Sequence, residues 1–258
     1  MIKKFVRCMV AYGLLSLVAA VGLSGSKAYG VTVGGDFNYT LDYLLAHPEI
    51  TLQVADKLFT GFAAVNEGFD LSKIHVKPEI LNYNGEMEWG LLFQLTGGST
   101  VLNGESKDLL LDFMVTTTFG DNRIHDAYMS VVGGATDTGA RYNISEEIYS
   151  NEDLINGLAD LFVFKNGGVS QTADITYFDP QDILFIRKDL QLDSDACPTS
   201  DPCIHQAFIS HFSQLFSQYQ GTTTGGTSGT TIPEPASMLL LGTGLVGLVG
   251  WSRRRFSK

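Results

Sequence analysis

Between Ser106 and Leu192 the chain is cut into short runs closed by Gly, Asn or Pro, and no run leaves room for a long helix. Leu109, Leu111, Phe113 and Val115 fall on one face of an extended segment, with Asp108, Asp112, Thr116 and Thr118 on the other. Leu110 and Met114 interrupt the polar face, yet the period stays close to two, as in a half-buried strand. Arg123 to Val132 follows, closed by Gly133-Gly134, and then Arg141 to Tyr149. Ala159 to Lys165 ends at Asn166-Gly167-Gly168, and Ser170 to Phe178 at Asp179-Pro180. From Asp182 to Leu192, Ile183, Phe185 and Arg187 alternate with Leu184, Ile186 and Lys188. The series predicts a mainly β chain folded as a single antiparallel β-sandwich, jelly-roll or Ig-like.

The flanking regions are less regular. Phe37 to Leu44 and Ile50 to Val54 suit strands, whereas Asp56 to Val65 fits helix or strand. His47-Pro48 and Lys77-Pro78 would break any helix passing through them. Trp89 to Leu95 reads as a buried strand ending at Gly97-Gly98, and these glycines, like Gly133-Gly134, read as turns. Ile204, Phe208, Phe212 and Phe216 recur every four residues, which fits a helical stripe or one face of a strand. After Gln220 a Thr/Gly/Ser run, residues 221–232, reads as a flexible linker, so the sandwich is expected over 31–220.

Both ends carry addressing signals. Residues 1–30 read as a secretory signal peptide: Lys3, Lys4 and Arg7 form the basic segment, Val10 to Leu23 the apolar one. Ala28 and Gly30 supply small residues for cleavage after Gly30, and cleavage after Ala28 is the alternative. At the other end, Pro233-Glu234-Pro235 precedes an apolar, Gly-spaced run from Ala236 to Trp251, closed by Arg253-Arg254-Arg255. This run reads as a transmembrane helix with its arginines on the cytoplasmic side as a stop.

Residues 233–258 resemble the PEP-CTERM sorting signal, with all three parts in order. The resemblance implies an exported protein held transiently in the inner membrane on the periplasmic side, then processed there by an exosortase. It gives Pro233, Glu234 and Pro235 the recognition role and Arg253, Arg254 and Arg255 the stop-transfer role. Delivery would be to the cell surface or the extracellular matrix. The segments Ile186 to Leu190 and Ile209 to Gln218 are also similar to a strand pair found before this signal, which favours strand for the second.

Charge excludes one class of partner. Residues 31–232 hold nine Lys and Arg against 27 Asp and Glu, a net charge of −18 that repels nucleic-acid phosphates. Cys8 lies in the leader, which leaves Cys197 and Cys203 as a pair expected to form a disulfide in an exported chain.

No catalytic or cofactor signature is present. The five histidines are scattered, and there is no HExxH, P-loop, dinucleotide fingerprint or nucleophile elbow. No metal ligands are assigned; Asp193-Ser194-Asp195 with Asp201 could offer oxygens to calcium, but a solvated acidic loop is the simpler reading. Glu86 and Glu88 point the same way along one strand, unlike a glycosidase pair facing across a substrate. Glu146-Glu147 and Glu152-Asp153 read as solvated turns. Tyr83, Trp89 and Tyr142 could stack on sugar rings, although sandwich aromatics more often fill the core. The expected function is therefore a non-catalytic, structural surface or exopolysaccharide-matrix protein, needing no cofactor. The alternative is a carbohydrate- or calcium-binding module on the same scaffold.

Overall fold

The computed structural model describes residues 31–118, 122–155, 157–197 and 203–220. The signal peptide, Asp201, the linker, Pro233-Glu234-Pro235, the apolar run and the arginines all lie outside the described residues. The chain divides into two units, Met1–Gly221 and Thr222–Lys258, and the described residues all belong to the first. Among the described residues no helix is long and apolar enough to cross a membrane.

Fifteen strands make up the described unit. They are β1 (Val31–Gly34), β2 (Tyr39–Thr40), β3 (Ile50–Val54), β4 (Lys57–Glu67) and β5 (Ile74–Tyr83). Then come β6 (Glu86–Leu102), β7 (Ser106–Thr117), β8 (Asn122–Ala135), β9 (Ala140–Tyr149) and β10 (Gly157–Asn166). The last are β11 (Val169–Gln171), β12 (Ala173–Gln181), β13 (Ile183–Ser194), β14 (Gln206–Phe216) and β15 (Gln218–Gln220). They form two sheets, β1-β3-β4-β7-β13-β9-β10-β11 and β12-β8-β14-β6-β5-β2, with β15 on β8. The pairings are antiparallel apart from β1 with β3.

The sheets stack face to face, as the sequence pattern predicts. Leu109, Leu111, Phe113 and Val115 form the buried row of β7, and Leu184, Ile186, Lys188, Leu190 and Leu192 that of β13. Opposite them, Phe93 stacks on Phe212 at 4.6 Å and reaches Phe113 across the sandwich at 6.2 Å. Phe59 and Phe216 meet at 6.1 Å, again from opposite sheets. Interdigitated aromatic rings of this size supply much of the apolar burial that holds such a fold.

Several local expectations are corrected. Phe37 to Leu44 is not a strand: only Tyr39–Thr40 pairs, and Leu41–Ala46 is a short helix, α1. Leu41 and Leu44, three residues apart, turn to the same buried side, and the chain leaves the helix at His47, before Pro48. Gly97-Gly98 does not end a strand, since β6 runs through it, with Gly97 at φ +81° in an irregularity opposite Ser210. Gly133-Gly134 also lies inside a strand, where a Cβ on Gly133 would stand 2.4 Å from Phe208 O. The close approach of β14, not a turn, is what calls for glycine there.

The same irregularity resolves the Ile204–Tyr219 ambiguity. Gln206–Phe216 of this segment is the strand β14, and the pairing slips between Ile209 and His211 against both neighbours. The slip changes which side is buried: Ile209 is in the core while Phe208 stays exposed, yet Phe212 and Phe216 point inward. A four-residue repeat thus straddles a bulge. Glu146, read as part of a solvated turn, is instead a buried member of β9, because Ala140–Tyr149 is one unbroken strand.

Candidate binding face

The second sheet has an outer face as well as a core face. In β6, Leu91, Phe93 and Leu95 point into the core, which places Glu86, Glu88, Leu92 and Gln94 on the other side. In β5, Ile74 and Val76 point inward, so Lys77, Glu79, Leu81 and Tyr83 share that outer face. Lys77 Nζ donates to Gln94 Oε1 at 2.6 Å, which confirms the shared side.

Tyr83 on β5 and Tyr128 on β8 meet with ring centroids 4.9 Å apart. Two strands, β6 and β14, lie between them in the sheet. In a flat sheet that separation would be about 14 Å, three intervals of strand spacing. The two side chains therefore lean toward each other over β6 and β14. Two glycines let β14 approach its neighbours closely. Gly90, which pairs Leu215, would carry a Cβ only 1.8 Å from Gln214 O, and Gly133 flanks β14 on its other side.

Beyond Phe216 the strand β14 ends, and Ser217 leads into β15, which pairs with β8. Glu86 lies on β6 and His125 and Asp126 on β8, with one ligand atom from each within 4.8 Å of the others. Asp126 accepts from Ser217 N at 2.7 Å and from Ser217 Oγ at 2.6 Å, so its carboxylate is fixed. Ser217 Oγ also lies 3.3 Å from His125 Nδ1. Tyr177 on β12 pairs with Asp126, sits 6.3 Å from the His125 ring and leaves 62% of itself in solvent.

Glu88 is only 1% exposed, and its Oε2 has no hydrogen-bond partner. Burial first, then the charges of Asp126 and Glu86, push its carboxyl up to about 7. The charge of Lys57 opposes that shift, although its Nζ is paired at 2.9 Å with Asp56 Oδ1 and lies 5.5 Å from the centre of the Trp89 ring. Burial in turn pulls the Lys57 ammonium down.

The residues singled out from the sequence separate here. Tyr83 lies on the face, Trp89 packs against the core, and Tyr142 is core, 1% exposed. Cys197 and Cys203 form the expected disulfide, with Cα atoms 5.7 Å apart. His205 lies beside them, but both sulfurs are tied to each other, so that trio offers no thiolate. Asp193 pairs with Arg141 at 3.3 Å, and Ser194 is buried, so Asp193-Ser194-Asp195 is not an open acidic loop. Tyr128, Tyr177, His125, Asp126 and Ser217 were not singled out. Their only local signal is the His125-Asp126 pair, which gains meaning once Glu86 is brought opposite by the pairing of both strands with β14.

Residues 231–255 match the PEP-CTERM protein-sorting motif. No curated protein matches the chain. Among solved structures, a TmCBM61 complex with beta-1,4-galactotriose is similar at 11% identity and TM-score 0.29, over 60% of this chain and 88% of that one. A mannan-recognising carbohydrate-binding module, TmCBM27, gives 9% identity and TM-score 0.22, over 64% and 100%. The family 11 carbohydrate-binding module of a Clostridium thermocellum cellulosomal cellulase gives 10% and 0.17, over 72% and 96%. At these scores the ligands of those modules have no bearing on this chain, whose outer face is judged by its own residues.

Proposed function

We propose that the chain is exported, recognised by an exosortase at Pro233-Glu234-Pro235, and delivered to the cell surface or exopolysaccharide matrix, where it binds polysaccharide without catalysis. Arg253, Arg254 and Arg255 would hold the tail in the inner membrane until processing. The sorting motif at residues 231–255 supports the delivery. The binding rests on one observation: Tyr83 and Tyr177 stand with Glu79 and Glu86 on the outer face of the second sheet, with Tyr83 packed on the buried Tyr128. Tyrosine rings offer apolar platforms for sugar faces, and carboxylates accept from sugar hydroxyls. This face favours the carbohydrate-binding alternative over a purely structural role.

Retention of the purified full chain on the host's exopolysaccharide tests the binding. Wild type should be retained, and Tyr177→Ala, at a largely exposed position, should lose most of that retention while unfolding at the same temperature. Equal retention of the two proteins would overturn the assignment of the face. For delivery, the mass of the protein from the host should lack the segment after the Pro-Glu-Pro motif, and should regain it when the exosortase is deleted. An unchanged mass would refute the processing.

A further inference from the structure

We propose that Glu86, His125 and Asp126, backed by Glu88, bind a divalent first-row transition metal of the zinc class. The site shares Glu86 with the polysaccharide face, but metal uptake is read without polysaccharide, so the proposal would survive the failure of that reading. Three features carry it.

The first is spacing. Ligands bonded to one ion at about 2.0–2.3 Å lie roughly 3–4.5 Å from one another. The three ligand atoms here fall within 4.8 Å, so a small closing movement completes the set. Glu86 is exposed and can supply that movement.

The second is orientation. Ser217 holds both neighbouring ligands: its N–H and hydroxyl donate to Asp126, and the same hydroxyl lies by His125 Nδ1. The other ring nitrogen, Nε2, lies 3.9 Å from Asp126 Oδ2. A histidine nitrogen fixed from behind through its other nitrogen, beside a hydrogen-bonded carboxylate, is the usual support for a bound metal.

The third is Glu88. On the same face as Glu86 and two residues along, it is buried with Oε2 unpartnered. A buried carboxylate with no hydrogen bond, next to Asp126 and Glu86, is expensive to keep unless a cation shares the space. One imidazole nitrogen among carboxylate oxygens favours zinc-class ions over calcium or magnesium, which take oxygen alone. Bound there, the ion would tie β6 to β8 where β14 no longer joins them.

The test is a calorimetric titration of the full chain, purified in detergent without a histidine tag and stripped with EDTA, using Zn²⁺, Mn²⁺ or Ca²⁺ alone. One Zn²⁺ should bind per chain and raise the unfolding temperature. Glu86→Gln and His125→Ala should each weaken binding at least ten-fold, and Glu88→Gln about ten-fold. Glu86→Gln, at an exposed position, should unfold like wild type without metal, separating lost binding from lost folding. No uptake at one equivalent, unchanged uptake in both ligand variants, or a preference for Ca²⁺ would each overturn the assignment.

Discussion

Lys188 and Glu146 form an ion pair inside the sandwich, directly opposite each other on β13 and β9, and neither side chain is reached by solvent. Gln214 of the other sheet joins them, its Oε1 accepting from Lys188 Nζ at 2.5 Å, and Met129 Sδ lies 3.3 Å away. The pair is thus a polar link between the two sheets. Burial pushes the Glu146 carboxyl up and the Lys188 ammonium down, while each partner's charge opposes the other's shift.

Breaking one half of such a pair strands the other. Lys188→Met should lower stability by about 3–5 kcal/mol, because Glu146 is left charged or protonated with no cation. The double variant Lys188→Met with Glu146→Leu should recover most of that loss, since apolar replacements of similar volume are neutral or better. Urea midpoints of the three proteins decide it. If the double variant is as unstable as the single one, packing and not charge is what the site provides.

A second prediction concerns the close approach of β14 to β6. At Gly90 an added Cβ would overlap Gln214 O at 1.8 Å, and backbone cannot step aside as a side-chain tip can. Gly90→Ala should therefore cost at least the roughly 1–3 kcal/mol of ordinary overpacking. It should also part Tyr83 from Tyr128, so exopolysaccharide retention should fall in the fraction that still folds. Gly85→Ala offers no parallel clash, since nothing lies within 4 Å of its Cβ, and there the strain is that of its φ of +92°.

How far the sequence speaks depends on what a residue answers to. The rows Leu109 to Val115 and Leu184 to Leu192 are legible because a strand's period is two and one face must be buried. Lys188 falls in the second row and already sits on its apolar side. Its partner Glu146 could not be recognised, because a strand buried on a polar side chain reads locally like an exposed turn. The Ile204–Tyr219 repeat was ambiguous for a related reason: one bulged residue at Ser210 shifts the face, and no periodicity records a bulge. The site at the end of β14 joins Glu86 to His125-Asp126 only through strand pairing, 39 residues along the chain. Pairing order is a property of the whole sandwich and leaves no local mark.

The acidic outer face of the first sheet predicts a pH dependence. Partial burial, then the charge of Asp189, pushes the Asp108 carboxyl up to about 6 from 3.8. The folded protein therefore binds a proton more tightly than the unfolded chain, so this contribution is full below 3.8 and is lost as pH rises through 6. Asp108→Asn removes the penalty. Its gain in urea midpoint over wild type should be present at pH 7.5 and much smaller at pH 4.5. An equal gain at both values would assign the effect to something other than this carboxyl.

The Cys197–Cys203 bond closes a short loop between the end of β13 and the start of β14, the strands that carry Lys188 and Gln214 on opposite sheets. Closing a loop of this size removes chain entropy worth about 2 kcal/mol from the unfolded state. Cys197→Ser with Cys203→Ser should lower stability by that amount and leave the core intact, because neither cysteine belongs to the buried cluster. Reduction of the wild type should give the same shift in urea midpoint as the double serine variant. If reduction shifts the midpoint and the serine variant does not, an unfolded-state effect of the freed thiols replaces the loop argument.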